Sequence, residues 1–286
     1  MRSVSRIQQG FTLVEIAIVL LIVTILLGYT VAMFPRQQEL KQYRAVDQEM
    51  DHIIDAIVGF AQVNGRLPCP AIPNSAGAED GGGAVNCTNY GGFVPINTLG
   101  ITGRTNQDSL LLDPWGNPYR YYVTNSDFNG DGVSDFVRNG EMRVVGIVDS
   151  DFDTYTDLDG RYIICDDNGV DISDNCNGAD EVFGNYQVGP PDRYAGAPFV
   201  LLSTGKNGRE VPVNDELENR GGSRSTTDLG MAAGPSGDNY FLKDVGANQT
   251  TFVRRPTGFA DDFDDVVRWV SPHILYSRMI EADQLP

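Results

Sequence analysis

A long apolar run near the N-terminus constrains the fold of this chain more than any other feature. The run covers residues 11–34, and Glu15 is its only charged residue. A helix of this length rises about 36 Å, enough to cross a hydrocarbon core of about 30 Å. The ten residues before it include Arg2 and Arg6 but no acid, and no small-residue cleavage site follows the run. The sequence therefore predicts a membrane-spanning helix over 11–34.

Glu15 is the residue of this run that points to a function. An ionisable side chain inside a bilayer costs several kcal/mol unless it is paired. The chain offers no basic residue within reach of Glu15. Cleavage of the bond after Gly10 would create an α-amino group at Phe11, four residues before the glutamate.

The segment G-F-T-L-V-E at 10–15, with the apolar run behind it, resembles the processing site of type IV prepilins and type II secretion pseudopilins. The resemblance implies that a membrane peptidase cuts after Gly10 and methylates the new N-terminal Phe11. It also implies that Glu15 neutralises the N-terminus of a neighbouring subunit in a filament. The alternative is a plain signal anchor with a chance glutamate near its cytoplasmic end.

The charge of the chain restricts its partners and its location. The 286 residues carry a net charge of −18, and loss of Arg2 and Arg6 with a ten-residue leader would take it to −20. So acidic a chain is unsuited to nucleic acid or to anionic lipid. The two leader arginines predict a cytoplasmic N-terminus by the positive-inside rule. We therefore expect a single-pass inner-membrane protein with a periplasmic C-terminal head.

Cysteine usage agrees with an oxidising compartment. The chain has four cysteines, Cys69, Cys87, Cys165 and Cys176. Four cysteines allow three pairings, and pairing of sequence neighbours would close two short loops rich in Gly, Asn and Asp. A zinc site is the competing interpretation, but there is no C-x-x-C pair, and neither His52 nor His273 is near a cysteine in sequence.

Helical periodicity continues beyond the apolar run. Apolar residues recur at spacings of three and four at Tyr43, Val46, Met50, Ile53, Ile57 and Phe60. Asn64 and Gly65 then form a helix stop. The sequence predicts one spine helix from 11 to about 64, with a bend at Pro35. Its amphipathic half, 35–65, would pack on a head formed by 66–286, after a leader at 1–10 and the span at 11–34.

The sequence of the head predicts short strands separated by turn-rich loops. Strands are predicted over 119–124, 142–148, 161–165 and 198–203. Residues 221–238 are predicted to form an exposed loop, and 252–280 hold enough apolar residues for a final packed element. The expected fold class is α+β, with a spine helix packed on a mainly antiparallel sheet and long loops supported by disulfides and calcium.

Two turns carry further signals. D-P-W-G-N-P-Y at 113–119 is a Pro/Gly turn that leads into a strand, which physically indicates a core-anchoring turn. It resembles the turn before the sheet in the major pseudopilin of type II secretion. The segment 205–208 lacks the spacing of a phosphate loop, because Val200 stands where a glycine is required. It resembles an S-x-G-x-N-G turn of the same pseudopilins.

The acidic loop 127–135 is the best candidate metal site. Oxygen ligands stand at alternate positions, at Asp127, Asn129, Asp131 and Asp135, with the Val133 carbonyl between them. This pattern resembles the first nine positions of an EF-hand-type calcium loop. Arg138 replaces the glutamate expected at the twelfth position, so Glu141 or an acid of the next loop would complete the shell. The alternative is a solvated acidic turn.

Two further acidic loops are weaker candidates. Asp149, Asp151 and Asp153 form a possible second metal site with high charge but a poorer pattern. The loop 166–171 lies between Cys165 and Cys176, so a disulfide-held turn explains it as well as a metal does.

The sequence predicts a structural protein rather than an enzyme. It contains no G-x-S-x-G, H-E-x-x-H or Cys/His motif. The resemblance implies a subunit of a type II secretion pseudopilus, of the minor kind because the head is large for a major subunit. Other pseudopilins or pilins, a prepilin peptidase and the inner-membrane assembly platform would be its partners. A minor type IV pilin acting as an adhesin or uptake factor is the alternative.

Overall fold

The structure is a computed structural model. It describes residues 12–81, 86–127, 130–146, 158, 160–165, 181–183, 196–208, 219, 230–233, 239–242, 250–254 and 263–286. Side chains are described for these residues except 29–36, 165, 181–183, 230–233, 239–242 and 250–251. The chain divides into two compact units, Met1–Tyr43 and Arg44–Pro286. The second half of the N-terminal helix therefore belongs to the same unit as the head.

Helices and short strands alternate along the described chain. In order they are α1 (Leu13–Asn64), β1 (Gly91–Phe93), α2 (Ile96–Leu99), β2 (Arg120–Val123), α3 (Glu141–Val145), β3 (Tyr162–Cys165), β4 (Glu181–Phe183), β5 (Phe199–Ser203), β6 (Gly230–Ala233), β7 (Asn239–Leu242), β8 (Thr250–Val253), β9 (Val266–Trp269) and α4 (Pro272–Glu281). This mixture confirms the α+β class.

The predicted spine helix is confirmed as α1, which continues through residue 35 and ends where the sequence indicates. Gly65 follows it with φ +66°, and its N–H donates to the Ala61 carbonyl at 2.8 Å. A left-handed residue at this position is the usual helix stop, and glycine adopts it without steric cost. A Cβ atom added at Gly65 would also lie only 2.8 Å from Gln284 Oε1.

Membrane crossing by this helix is not confirmed. No helix in the described part of the chain is long and apolar enough to span a bilayer. The span predicted over 11–34 falls partly outside that part, because residue 11 and the side chains of 29–36 are not described. The span therefore stays a prediction.

The head is built on a four-stranded antiparallel sheet with the strand order β1-β2-β5-β9. The inner strand β5 pairs with β2, in which Tyr121 lies opposite Leu201 of β5. It also pairs with β9, in which Arg268 lies opposite the same Leu201. All residues of β2 and β5 are buried. These observations confirm the strands predicted over 119–124 and 198–203, and the mainly antiparallel pairing.

A second sheet shares its core with the first. It has the order β4-β3-β8, and β3 pairs antiparallel with β4 but parallel with β8. The shared core consists of Tyr122, Tyr162, Ile164, Ala197, Val200, Leu202, Phe252 and Val267. The Tyr162 hydroxyl donates to the Val123 carbonyl at 2.7 Å, which ties the two sheets together. The strand predicted over 161–165 is confirmed.

The second half of α1 packs on this head through the predicted apolar face. Val46, Met50, Ile53 and Ile57 are fully buried. Polar contacts flank them: Asp47 pairs with Arg268 at 2.7 Å, and Glu49 accepts a hydrogen bond from the Tyr119 hydroxyl at 2.9 Å. Burial, followed by the Glu49 charge, raises the pKa of Tyr119, so this hydroxyl stays protonated and donates.

The strand predicted over 142–148 is wrong. Residues Glu141–Val145 form the helix α3, and 147–148 lie outside the described residues. Gly140 precedes the helix at φ +82° and Gly146 follows it at φ +74°, conformations that break a strand on both sides. The Gly140 carbonyl accepts the N–H of Val144 at 3.1 Å, so local geometry overrides the β-propensity of the valines.

The loop prediction for 221–238 is also wrong in part, because β6 lies within it and pairs antiparallel with β7. The rest of that loop lies outside the described residues. Glycine and alanine have low strand propensity, so the sequence of β6 does not predict a strand.

The disulfide between Cys69 and Cys87 is confirmed, with Cα atoms 5.5 Å apart. Beside it, Arg66 forms a two-pronged ion pair with Glu79, at 2.7 and 2.8 Å. Glu79 also accepts the Cys69 N–H at 3.0 Å, so the bridge and the ion pair hold one loop. The Cys165 side chain and Cys176 lie outside the described residues, so their pairing stays a prediction.

Candidate functional site

Glu15 lies in the first turn of α1, where its carboxylate caps the helix. Glu15 Oε2 accepts hydrogen bonds from both the backbone N–H and the hydroxyl of Thr12, each at 3.0 Å. The Glu15 N–H donates in return to Thr12 Oγ1 at 3.3 Å. This reciprocal arrangement is a capping box, in which a threonine and a glutamate three residues later satisfy each other's backbone donors.

The sequence carries a local signal for this cap. T-L-V-E at 12–15 has the T-x-x-E spacing of a capping box directly before an apolar run. Glu15 therefore has a partner within its own chain, at the helix terminus where a negative charge is favoured. The predicted processing residues Gly10 and Phe11 lie outside the described residues.

In the described residues of the acidic loop, 127 and 130–135, the carboxylates of Asp127 and Asp131 accept backbone hydrogen bonds. Asp127 Oδ1 accepts from the Asp131 N–H at 3.1 Å, and its Oδ2 accepts from the Gly132 N–H at 2.9 Å. Asp131 Oδ1 accepts from the Val133 N–H at 2.8 Å. Gly130 and Gly132 have φ values of +72° and +83°, which allow the chain to fold back this sharply.

The acidic loop is tied to the disulfide loop through Asn86, a contact that the sequence did not indicate. Asn86 Oδ1 accepts the Ser134 N–H at 2.8 Å, and its Nδ2 donates to the Gly132 carbonyl at 3.1 Å. Asn86 is the neighbour of Cys87 in sequence, so the disulfide holds one side of the turn in place.

The described residues alone do not complete a metal site. Across the part of the chain that the structure describes, no three or more Asp, Glu, His or Cys side chains are grouped as metal ligands. Asp135 is fully buried. The Glu141 carboxylate, which was predicted to complete the metal ligands, lies 3.9 Å from the Arg138 guanidinium and forms an ion pair with it. Asn129, Asp149, Asp151 and Asp153 lie outside the described residues. Calcium stays a prediction.

The two turns singled out in the sequence contact each other in the head. The Ser203 hydroxyl donates to Asp113 Oδ2 at 2.7 Å. Asp113 Oδ1 accepts the N–H groups of Trp115 and Asn117, at 3.0 and 2.8 Å. The Asn117 side chain donates to the Gly205 carbonyl. The segments 113–119 and 203–208 thus form one hydrogen-bonded unit, which agrees with the interpretation of 113–119 as a core-anchoring turn.

Asp113 is the buried carboxylate at the centre of this unit. Its burial raises the pKa of the carboxyl above its ordinary value, while the hydrogen bonds from Ser203 and the backbone act in the opposite direction. The Asp113 carboxylate has a structural role, because its described hydrogen-bond donors all belong to the two turns.

Comparison with known proteins gives one match, at the N-terminus. Residues 5–31 match the family described as prokaryotic N-terminal methylation motif. No curated protein and no solved structure matches the chain. The match supports a type IV pilin-like subunit, and such subunits are structural rather than enzymatic. It includes Glu15 and its capping partner Thr12, and it does not extend to the head.

Proposed function

We propose that this protein is a minor pseudopilin, a subunit that assembles into the pseudopilus of a type II secretion system. The observation that carries the proposal is the N-terminal methylation motif at 5–31, with Glu15 in the first turn of a long helix. A structural role follows from the motif. The finer choice of a secretion pseudopilus rests on the resemblance of the 113–119 turn to that of the major pseudopilin.

The chemistry of assembly requires only residues at the start of the helix. A peptidase hydrolyses the bond between Gly10 and Phe11, and the released amine is methylated. The ammonium of one subunit and the Glu15 carboxylate of its neighbour then neutralise each other inside the membrane, where either charge alone is costly. Thr12 holds the carboxylate in the meantime, because its hydroxyl and N–H already contact Oε2.

The head would serve as the part of the subunit outside the inner membrane. Its acidic character, which follows from a net charge of −18 for the chain, suits a soluble periplasmic surface. The disulfide between Cys69 and Cys87 suits the same oxidising compartment. Other pseudopilins, the prepilin peptidase and the inner-membrane assembly platform are the partners of this role.

A deletion strain tests the proposal. Loss of the gene should impair secretion of the type II cargo into the medium, with the cargo retained in the periplasm, and the restored protein should appear in sheared filaments. A deletion strain that secretes normally but loses twitching, adhesion or DNA uptake would identify a minor type IV pilin instead. A protein that never enters filaments would overturn both roles.

A further inference from the structure

The disulfide between Cys69 and Cys87 is anchored in the head at its Cys69 end. Cys69 is fully buried, and its N–H donates to Glu79 Oε2 at 3.0 Å. The carbonyl of the preceding residue, Pro68, accepts a hydrogen bond from the Tyr121 hydroxyl at 3.0 Å. Because Tyr121 is a buried residue of the inner strand β2, this end of the bridge is fixed to the main sheet.

The Cys87 end of the bridge carries the residue that contacts the acidic loop. Asn86 precedes Cys87 directly, and its side chain binds the loop segment 130–135 through two hydrogen bonds. Its Oδ1 accepts the Ser134 N–H at 2.8 Å, and its Nδ2 donates to the Gly132 carbonyl at 3.1 Å. The amide of one asparagine therefore holds the segment at two points.

The position of Asn86 depends on the bridge. The main sheet holds the chain that follows at Tyr90, whose carbonyl accepts the Val123 N–H at 2.9 Å. Asn86 lies four residues before that hydrogen bond and next to the bridged cysteine. The bridge ties it to a residue 18 positions earlier in the chain, which is itself fixed in the head. A covalent tie of this kind restricts the conformations that the chain around it can adopt.

The end of the same loop segment is held without the bridge. The Asp135 N–H donates to the carbonyl of Ser126, just after β2, at 2.7 Å. Ser126 and Asp135 are both fully buried. The chain from 130 to 134 thus depends on Asn86, whereas Asp135 is anchored to the end of a strand of the main sheet.

We propose that oxidation of Cys69 and Cys87 is the step that orders residues 130–134, so that the acidic loop takes its folded form only in an oxidising compartment. The S–S bond forms as the two thiols give up two protons and two electrons to a disulfide of a thiol oxidase, which becomes a dithiol. Cys87 is only 6 % exposed and Cys69 is fully buried, so attacking thiolates have little access to the finished bridge. The ordering step is therefore a maturation step rather than a reversible switch.

Hydrogen-exchange mass spectrometry of the full-length protein tests this coupling. In the variant with both Cys69→Ala and Cys87→Ala, the amides of 130–134 should exchange about tenfold faster than in the parent, the factor that corresponds to the loss of one or two hydrogen bonds. The amides of β5 should exchange as in the parent, because the bridge does not hold this inner strand.

Asn86→Ala separates the bridge from its contact with the loop. This variant keeps both cysteines and should speed exchange in 130–134 to a similar extent. Asn89→Ala is the matched control: Asn89 is exposed on the other side of Cys87 and donates to Asp80 at 3.5 Å rather than to the loop. It should leave exchange in 130–134 unchanged.

Each other result counts against the inference. If the variant without both cysteines protects 130–134 as the parent does, the loop is ordered independently of the bridge. An equal loss of protection in β5 would show that the bridge holds the whole head rather than this segment. Unchanged exchange in Asn86→Ala would overturn the route through Asn86 even where the cysteine variant does not fold. None of these results depends on filament assembly, so the proposed function is tested separately.

Discussion

Glu15 has two possible partners, and the structure gives the first of them. Thr12 holds the carboxylate within the chain through two hydrogen bonds of 3.0 Å. The proposed second partner is the ammonium of a neighbouring subunit. A capping box accepts glutamine as well as glutamate, whereas neutralisation of an ammonium requires the charge.

Substitution of Glu15 therefore distinguishes capping from assembly. Glu15→Gln keeps the cap and removes the charge, and Glu15→Ala removes both. We expect both variants to be processed and inserted, but to reach filaments at least about tenfold less often than the parent, because an unneutralised ammonium in the membrane costs several kcal/mol. Immunoblots of sheared filaments and membranes measure this. Normal incorporation of Glu15→Gln into filaments would show that Glu15 acts only as a helix cap.

Asp113 gives a prediction of pH dependence at the same scale. Burial raises the pKa of its carboxyl in the folded protein, so the folded state binds a proton more readily than the unfolded state. The contribution of Asp113 to stability is therefore greatest at low pH. It falls as the pH rises from the unfolded value of 3.8 through the raised folded value, and is constant above it.

Asp113→Asn should remove this pH-dependent contribution and keep an acceptor for the Trp115 and Asn117 N–H groups. The free energy of unfolding of the variant, relative to the parent, should rise with pH through that window and then level off. Asp113→Ala should destabilise the protein by about 1–3 kcal/mol, because buried donors lose their acceptor. Urea unfolding at several pH values measures both. If the difference in the free energy of unfolding between the parent and Asp113→Asn does not change with pH, the raised pKa of Asp113 is contradicted.

At the scale of elements, long periodic patterns were predictable and short glycine-bounded ones were not. The buried face of α1 followed from the spacing of Val46, Met50 and Ile53, since many turns of one helix repeat the same signal. The helix α3 reads as a strand because its valines favour one, and only the backbone angles of Gly140 and Gly146 reverse this. β1 has three residues, two of them glycine, and is held by its pairing with β2.

The candidate site was predictable where a motif is local in sequence. Glu15 and the 113–119 turn were both recognised from short segments. Contacts between distant segments, such as Asn86 with Ser134 or Ser203 with Asp113, leave no local pattern and appear only in the folded chain.

The acidic loop carries the prediction that concerns calcium. The described carboxylates of Asp127 and Asp131 lie in one turn, and Asn129, Asp135 and the Val133 carbonyl complete the predicted ligand set. A cation that binds only the folded state raises its stability by about 2.7 kcal/mol at a hundred times its dissociation constant. The unfolding temperature of the full-length protein should therefore rise in calcium and fall on chelation.

The response to calcium, rather than the stability itself, is the quantity to compare between variants, because Asp127 also accepts hydrogen bonds within the turn. Asp127→Ala and Asp131→Ala should respond less than the parent. Asp55→Ala, an exposed aspartate on α1, should respond fully and serves as the control. If calcium does not change the unfolding temperature of the parent protein, the loop is a solvated acidic turn and not a calcium site.

At the scale of the whole molecule, the features agree on a structural subunit. The methylation motif occupies residues 5–31, a helix of 52 residues begins within it, and the second half of that helix forms part of the head. The head is held by a disulfide, by paired turns and by two carboxylates of α1, which bind Arg268 and Tyr119.

Processing at the start of the helix is the property that a pilin-like subunit must have. Mass spectrometry of the protein purified from cells that contain a prepilin peptidase should detect an N-terminal peptide that begins with N-methylated Phe11, without the ten residues before it. The same protein from a strain that lacks the peptidase should keep its intact N-terminus. Detection of only the intact N-terminus in the presence of an active peptidase would show that this chain is not a pilin-like subunit.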